Sequence, residues 1–191
     1  MGADRYSLFE QPWPEGDYRF FQLGFHVEDV IVAAERWARV FGVGPFSLLP
    51  RSVTSSTYRG RSCRAEIQIA AAQAGPVQIE LIQQFDDEPS IYRELFGAED
   101  NGLHQLCTIT EHYDARLAQY RAHGYEVVGE VDSDTHRVAY IDTVADFGWY
   151  TEMVASTPSF LRHTARLAEL GRTWDGTDPV RILTRDGYRT P

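Results

Sequence analysis

The chain contains no lysine: all 18 of its basic residues are arginine. That absence removes Schiff-base catalysis and the phosphate-gripping lysine of Walker-type loops. Cysteine is almost as scarce, and Cys63 and Cys107 stand in unrelated contexts, so neither a disulfide framework nor a thiolate zinc site is expected. No apolar run approaches the ~20 residues that cross a bilayer. The opening MGADRYSLFEQPWPEGDYRFF holds acids and prolines where a secretory leader needs a basic start and an apolar run, which gives the expectation of a soluble, cytoplasmic protein. Positive charge is also outweighed. With 28 acidic residues against 18 basic ones the formal charge is −10, which argues against nucleic acid and anionic membranes as partners and leaves a small molecule.

What is present suits an ordinary folded domain: 191 residues, 43% apolar and 24% charged. Residues 1–19 read as an irregular arm. Phe20 to Val27 reads as a strand, followed by a helix capped by Asp29 and ended at Gly42. Phe46 to Leu49 is a second strand, then comes a polar segment dotted with Arg51, Arg59, Arg61 and Arg64. Ala65 to Ala70 and Val77 to Gln83 form a hairpin about Gly75-Pro76. A connector over 86–101 carries a short helix. The order then repeats: strands over 103–109, 125–131, 137–141 and 149–154, with a helix over 113–122. Residues 20–85 and 102–155 are thus two βαβββ modules, and 156–191 is a helix and tail expected to serve packing or oligomer contacts. The expected fold class is α+β, two paired modules which, if they curve into one mixed sheet, form an open cup.

Each module carries a histidine on its first strand, His26 or His104, and a glutamate on its last, Glu80 or Glu152. A carboxylate inside an apolar strand is costly to bury without compensation. Four such groups at equivalent points of a repeat are therefore expected to converge on one divalent metal, and a mixed N/O set suits Zn, Mn, Co, Ni or Fe(II). Strand alternation puts Glu66 beside Gln68 on one face, and Tyr150 beside Glu152. Tyr92 and Tyr140 are candidates for the cup wall, so Gln68, Tyr92, Tyr140 and Tyr150 form the expected substrate lining. The arginine-dotted segment could hold an anionic substrate end. His112, His123, His136 and His163 lie on expected helices or loops and read as solvated.

Gly-x-His before a helix ending in Phe-Gly, followed by Ile-Glu-Leu, Gly-Leu-His and Thr-Glu-Met, resembles the vicinal oxygen chelate superfamily over about residues 20–155. That group includes glyoxalase I, methylmalonyl-CoA epimerase, extradiol dioxygenases and resistance proteins. The resemblance implies His26, Glu80, His104 and Glu152 as metal ligands and Glu66 as the proton-abstracting base, with Glu152 able to return the proton. Gly102-Leu103-His104 looks most like the epimerase branch, whereas Glu80 replaces the glutamine of that branch. The implied activity is a metal-dependent epimerase, isomerase or lyase acting on a small carbonyl, carboxylate or acyl-thioester compound, in a homodimer. Two alternatives stay open: an Fe(II) extradiol-type dioxygenase, and a non-catalytic protein that binds a small molecule.

Overall fold

In a computed structural model the described residues are 19–132 and 136–190; all of the expected N-terminal arm except Arg19 lies outside them. The first half runs β1 (Arg19–His26), α1 (Val30–Phe41), β2 (Phe46–Leu48), β3 (Ser52–Tyr58), β4 (Arg61–Ala74) and β5 (Val77–Gln84). After α2 (Ile91–Leu95) the second half runs β6 (Gly102–Thr110), α3 (Tyr113–Ala122), β7 (Val127–Asp132), β8 (Arg137–Ile141), α4 (Val144–Phe147) and β9 (Tyr150–Ala155). Then come α5 (Pro158–Arg172), β10 (Val180–Thr184) and β11 (Gly187–Arg189).

The class is α+β, and one mixed sheet curls on itself. Its order is β11-β10-β2-β4-β3-β7-β8-β9-β6-β1-β5, and an added β4–β5 pairing closes the last strand onto the sheet. The 14-residue β4 makes closure possible, because its first half pairs with β3 and its second half with β5. Strand β3 is the polar stretch between Arg51 and Arg59 of the arginine-dotted segment, whose Arg61 and Arg64 fall in β4. It lacks an apolar face and is held by seven register pairs along β4, which a periodicity reading does not detect.

Two helices cover the outside of the barrel. In α1, Asp29 caps the start by accepting from the Ile31 and Val32 amides, each at 2.9 Å, and Gly42 ends it at φ 65°. Its Val30 and Ala34 pack with Ala70, Ala72, Ile79 and Leu81, whereas α3 sets Tyr113 and Leu117 on Ala139, Ile141 and Met153. Alternation therefore sends Ala70 and Ala72 outward to α1 and Ala65 and Ile67 into the barrel interior. Helix α2 sits at the Gln84 end of β5, with Ile91 and Tyr92 in the interior cluster. Helix α5 lies by the other end, where Gly171 faces Gln73 and its residues meet Gln78. No helix among the described residues is long and apolar enough to cross a membrane.

Candidate active site

A cavity of about 540 Å³ opens inside the barrel under α5. Gln22, Gln78, Glu80 and Glu152 form its polar side, Leu49, Ile69, Ala71, Val154, Phe160 and Leu183 its apolar side, and Ser47, Ser159, His136 and His163 complete the lining. Beneath it, the fully buried Gln105 donates from one Nε2 to Glu80 Oε2 and to Glu152 Oε2, both at 3.0 Å. The space for Gln105 exists because residue 24 is glycine: a Cβ there would lie 2.5 Å from Gln105 Cδ.

The two carboxyls share one low-dielectric environment. Burial raises Glu80 well above its ordinary pKa, and the charge of Glu152 raises it further, with the Gln105 hydrogen bond opposing. Burial also raises Glu152, opposed by hydrogen bonds from Cys107, Gln105 and Tyr140. The pair resists holding two negative charges, and Glu152 is the better supported of the two as the anion.

The expected convergence of four ligands does not occur. His26 directs Nδ1 at the Asp100 carbonyl, 2.9 Å away, and Nε2 at the Arg93 guanidinium, 3.4 Å away, while its ring stacks on Phe96. Its remaining lone pair thus faces a cation. Burial lowers its pKa, and Arg93 adds to that. His104 has Nδ1 against Gln105 Oε1 and Nε2 against the Ile91 carbonyl at 3.1 Å, so oxygen occupies both nitrogens; burial drops its pKa to about 4. Among the described residues no group of three or more His, Cys, Asp or Glu is arranged to hold a metal ion. The group aimed at both carboxylates is an N–H donor, which repels a cation. The residues present therefore do not fit the imidazole and carboxylate centre implied by the resemblance.

Register explains why the histidines misled. Glu80 lies opposite Gly24 in the parallel β1–β5 pair, and Glu152 opposite Cys107 in β6–β9. Gln22 precedes Gly24 by two residues and Gln105 precedes Cys107 by two, so the glutamines are equivalents. They also stand seven residues before the matching helix caps, Asp29 and His112. The β1–β6 ladder skips Phe21 in one strand and His104 in the other, a bulge just before each glutamine. His104 is thus the counterpart of Phe21, not of His26. Strict alternation from Gly102 fails at that bulge, and the equal spacing of Gln22 and Gln105 from the helix caps was the signal that could have found them.

The other expected residues are dispersed. Glu66 points away from the interior faces of Ala65 and Ile67 and pairs with Arg51 at 2.6 Å, so it is not placed to act as a base in the cavity. Gln68 shares that outer direction and donates to the Leu49 carbonyl at 3.0 Å. Tyr92 and Tyr140 approach through their hydroxyls at 3.3 Å beside a separate void of about 20 Å³, room for one water. Tyr150 is buried against His104. None of the three lines the large cavity. The tail, expected to be structural, supplies Ser159, Phe160, His163 and Leu183 to the lining, and His136 and His163 meet the cavity as well as solvent.

A closed barrel of paired modules with a ligand-sized cavity and acidic groups on its wall defines the class. A model of the glyoxalase/bleomycin resistance protein/dioxygenase superfamily matches residues 21–140, and the chain belongs to that superfamily. No curated protein shows a significant sequence match. Among solved structures, the methylmalonyl-CoA epimerase of Mycobacterium tuberculosis superposes with a TM-score of 0.54 at 18% identity, covering 81% of this chain and 99% of that one. A hypothetical protein from Bacillus halodurans C-125 gives 0.53 at 13%, covering 73% and 95%. A Streptomyces coelicolor methylmalonyl-CoA epimerase in complex with 2-nitronate-propionyl-CoA gives 0.51 at 17%, covering 74% and 99%. At these identities the likeness is one of fold.

Proposed function

We propose that the protein is a proton-transfer enzyme, an epimerase, isomerase or lyase acting at the carbon beside a carbonyl group of a small substrate, with Glu80 and Glu152 as its acid and base. The observation that carries this reading is a pair of carboxyls bridged by one amide on the wall of a ligand-sized cavity inside the barrel. Glu80, raised by burial and by the charge of Glu152, keeps its proton and donates it as a hydrogen bond to the substrate carbonyl oxygen. Glu152, supported as an anion by Tyr140 and Gln105, removes the neighbouring C–H proton. Negative charge then moves to the carbonyl oxygen, where the Glu80 proton stabilises it. The proton held by Glu152 returns to a conjugated carbon, or to the opposite face once the enol has turned over in the cavity, or a leaving group departs. Glu66 has no part in this sequence.

The test is deuterium incorporation from D₂O into a panel of ketones and acyl thioesters, followed by NMR, alongside elemental analysis of the purified protein. Exchange that survives chelation and falls about 10²- to 10⁴-fold in Glu152→Gln supports the reading. Exchange that requires a stoichiometric metal sinks the metal-independent assignment. Tight ligand binding with no exchange on any substrate favours a binding protein.

A further inference from the structure

No arginine lines the cavity among the described residues. Its polar groups are two carboxyls, two amides, two serine hydroxyls and two imidazoles, and burial lowers the pKa of both His136 and His163. None of the arginines that the sequence offered for an anionic substrate end lines it, and two of them are held elsewhere. Arg51 pairs with Glu66 and lies over the Phe85 ring. Arg59 is held by Glu94, Glu126 and Asp142. A carboxylate or phosphate inside the barrel would therefore face the acidic pair with no arginine on the lining to balance it, in a medium that screens poorly; Arg166 acts on His163 but is not itself a lining residue.

The roof adds a second observation. Helix α5 begins beyond the segment shared with the superfamily, which ends at residue 140. Thr157 caps it by accepting from the Phe160 amide at 3.2 Å, and Phe160 meets Phe21 edge-on with ring centroids 5.6 Å apart. The helix thereby fixes Phe160 and, one turn on, His163 in the cavity lining that also holds the acid pair.

We propose that the part of the substrate entering this barrel carries no negative charge: an uncharged or cationic, largely apolar carbonyl compound, with its reacting end at Glu80 and Glu152 and its far end on Phe160 and His163. This rests on the proton-transfer reading for the reacting end only. The apolar half of the lining supplies affinity without charge, and a volume of about 540 Å³ falls in the range for ligands of drug size. His163 acts as a specificity residue, offering a neutral imidazole to a hydroxyl or carbonyl remote from the reaction.

The experiment is calorimetric titration of the full chain near neutral pH with four probes on one skeleton: 2-acetylnaphthalene, 2-naphthol, 2-naphthylmethylammonium and 2-naphthoate. At least one of the first three should bind about 10-fold or more tightly than naphthoate, and the Glu80→Gln/Glu152→Gln double variant should shrink that ratio to about 3-fold or less. His163→Ala should weaken binding of 6-hydroxy-2-acetylnaphthalene several-fold while leaving 2-acetylnaphthalene within about 2-fold. Naphthoate binding as well as the neutral probes, or no probe binding at millimolar concentration, overturns the proposal. The two readings fail separately. Selective neutral binding without hydrogen exchange removes the enzyme and keeps the ligand class, whereas exchange in an acid with its carboxylate beside the reacting carbon removes the ligand class and keeps the enzyme.

Discussion

The two halves of the barrel carry glutamine and glutamate at matching register and use them differently. In the second half Gln105 is fully buried, and one amide group holds both carboxyls at 3.0 Å. In the first half Gln22 reaches Gln78 at 3.5 Å and remains on the cavity wall. The bulge residues differ as well: Phe21 packs on Phe160 of the roof, while His104 ties Gln105 to α2 at the opposite end. Two halves of matching register thus serve differently, one as the clamp and the other as the wall. The clamp needs a buried, fully bonded amide, and the wall does not.

The largest expected effect breaks the symmetry of the acids. Glu152→Gln should reduce exchange about 10²- to 10⁴-fold, while Glu66→Gln, altered outside the barrel, should leave it within about 2-fold. Next, Gln105→Ala leaves two buried carboxyls without their shared donor and should cost about 1–3 kcal/mol in chemical denaturation. Gln22→Ala, which removes one long contact, should cost less than half as much; equal losses would show that the halves are equivalent after all. Gly24→Ala forces Gln105 aside and should cost about 1–3 kcal/mol, with Gln105→Ala in the same chain relieving part of it.

The smallest effects concern pH. The folded pKa of Glu80 lies well above its ordinary value of 4.5, because of burial first and Glu152 second. Its contribution to stability is therefore complete below that value and is lost as pH rises through the folded pKa. The melting temperature of Glu80→Gln relative to the parent should accordingly climb as pH rises above the ordinary value of 4.5, and a flat difference would refute the shift. His104 has the opposite sign. Its pKa falls from 6.5 to about 4, so the contribution of the neutral ring is present above 6.5 and fades as pH drops toward 4. His104→Gln should flatten that acid limb.

Much of the frame was legible in the chain. Asp29 and Gly42 bracket α1, Thr157 and Pro158 start α5, and the repeated strand order around Glu80 and Glu152 anticipates two modules. Strand β3 was not legible, because its residues, polar apart from Val53 and exposed or half-exposed, are held by pairing rather than by an apolar face. Neither was the destination of the histidines: their rings are consumed by carbonyls and by Arg93, partners distant in sequence.

Local pattern alone decided that Glu80 and Glu152 would lie inside an apolar sheet, because a period of two and strong strand propensity leave the chain little choice of direction. Tertiary structure decided what they meet there. A bulge at His104 turns Gln105 inward, a missing side chain at Gly24 admits it, and a helix from the far end of the chain closes the space above. Each depends on register between strands that the sequence separates widely, and a one-residue shift in that register exchanges an imidazole for an amide.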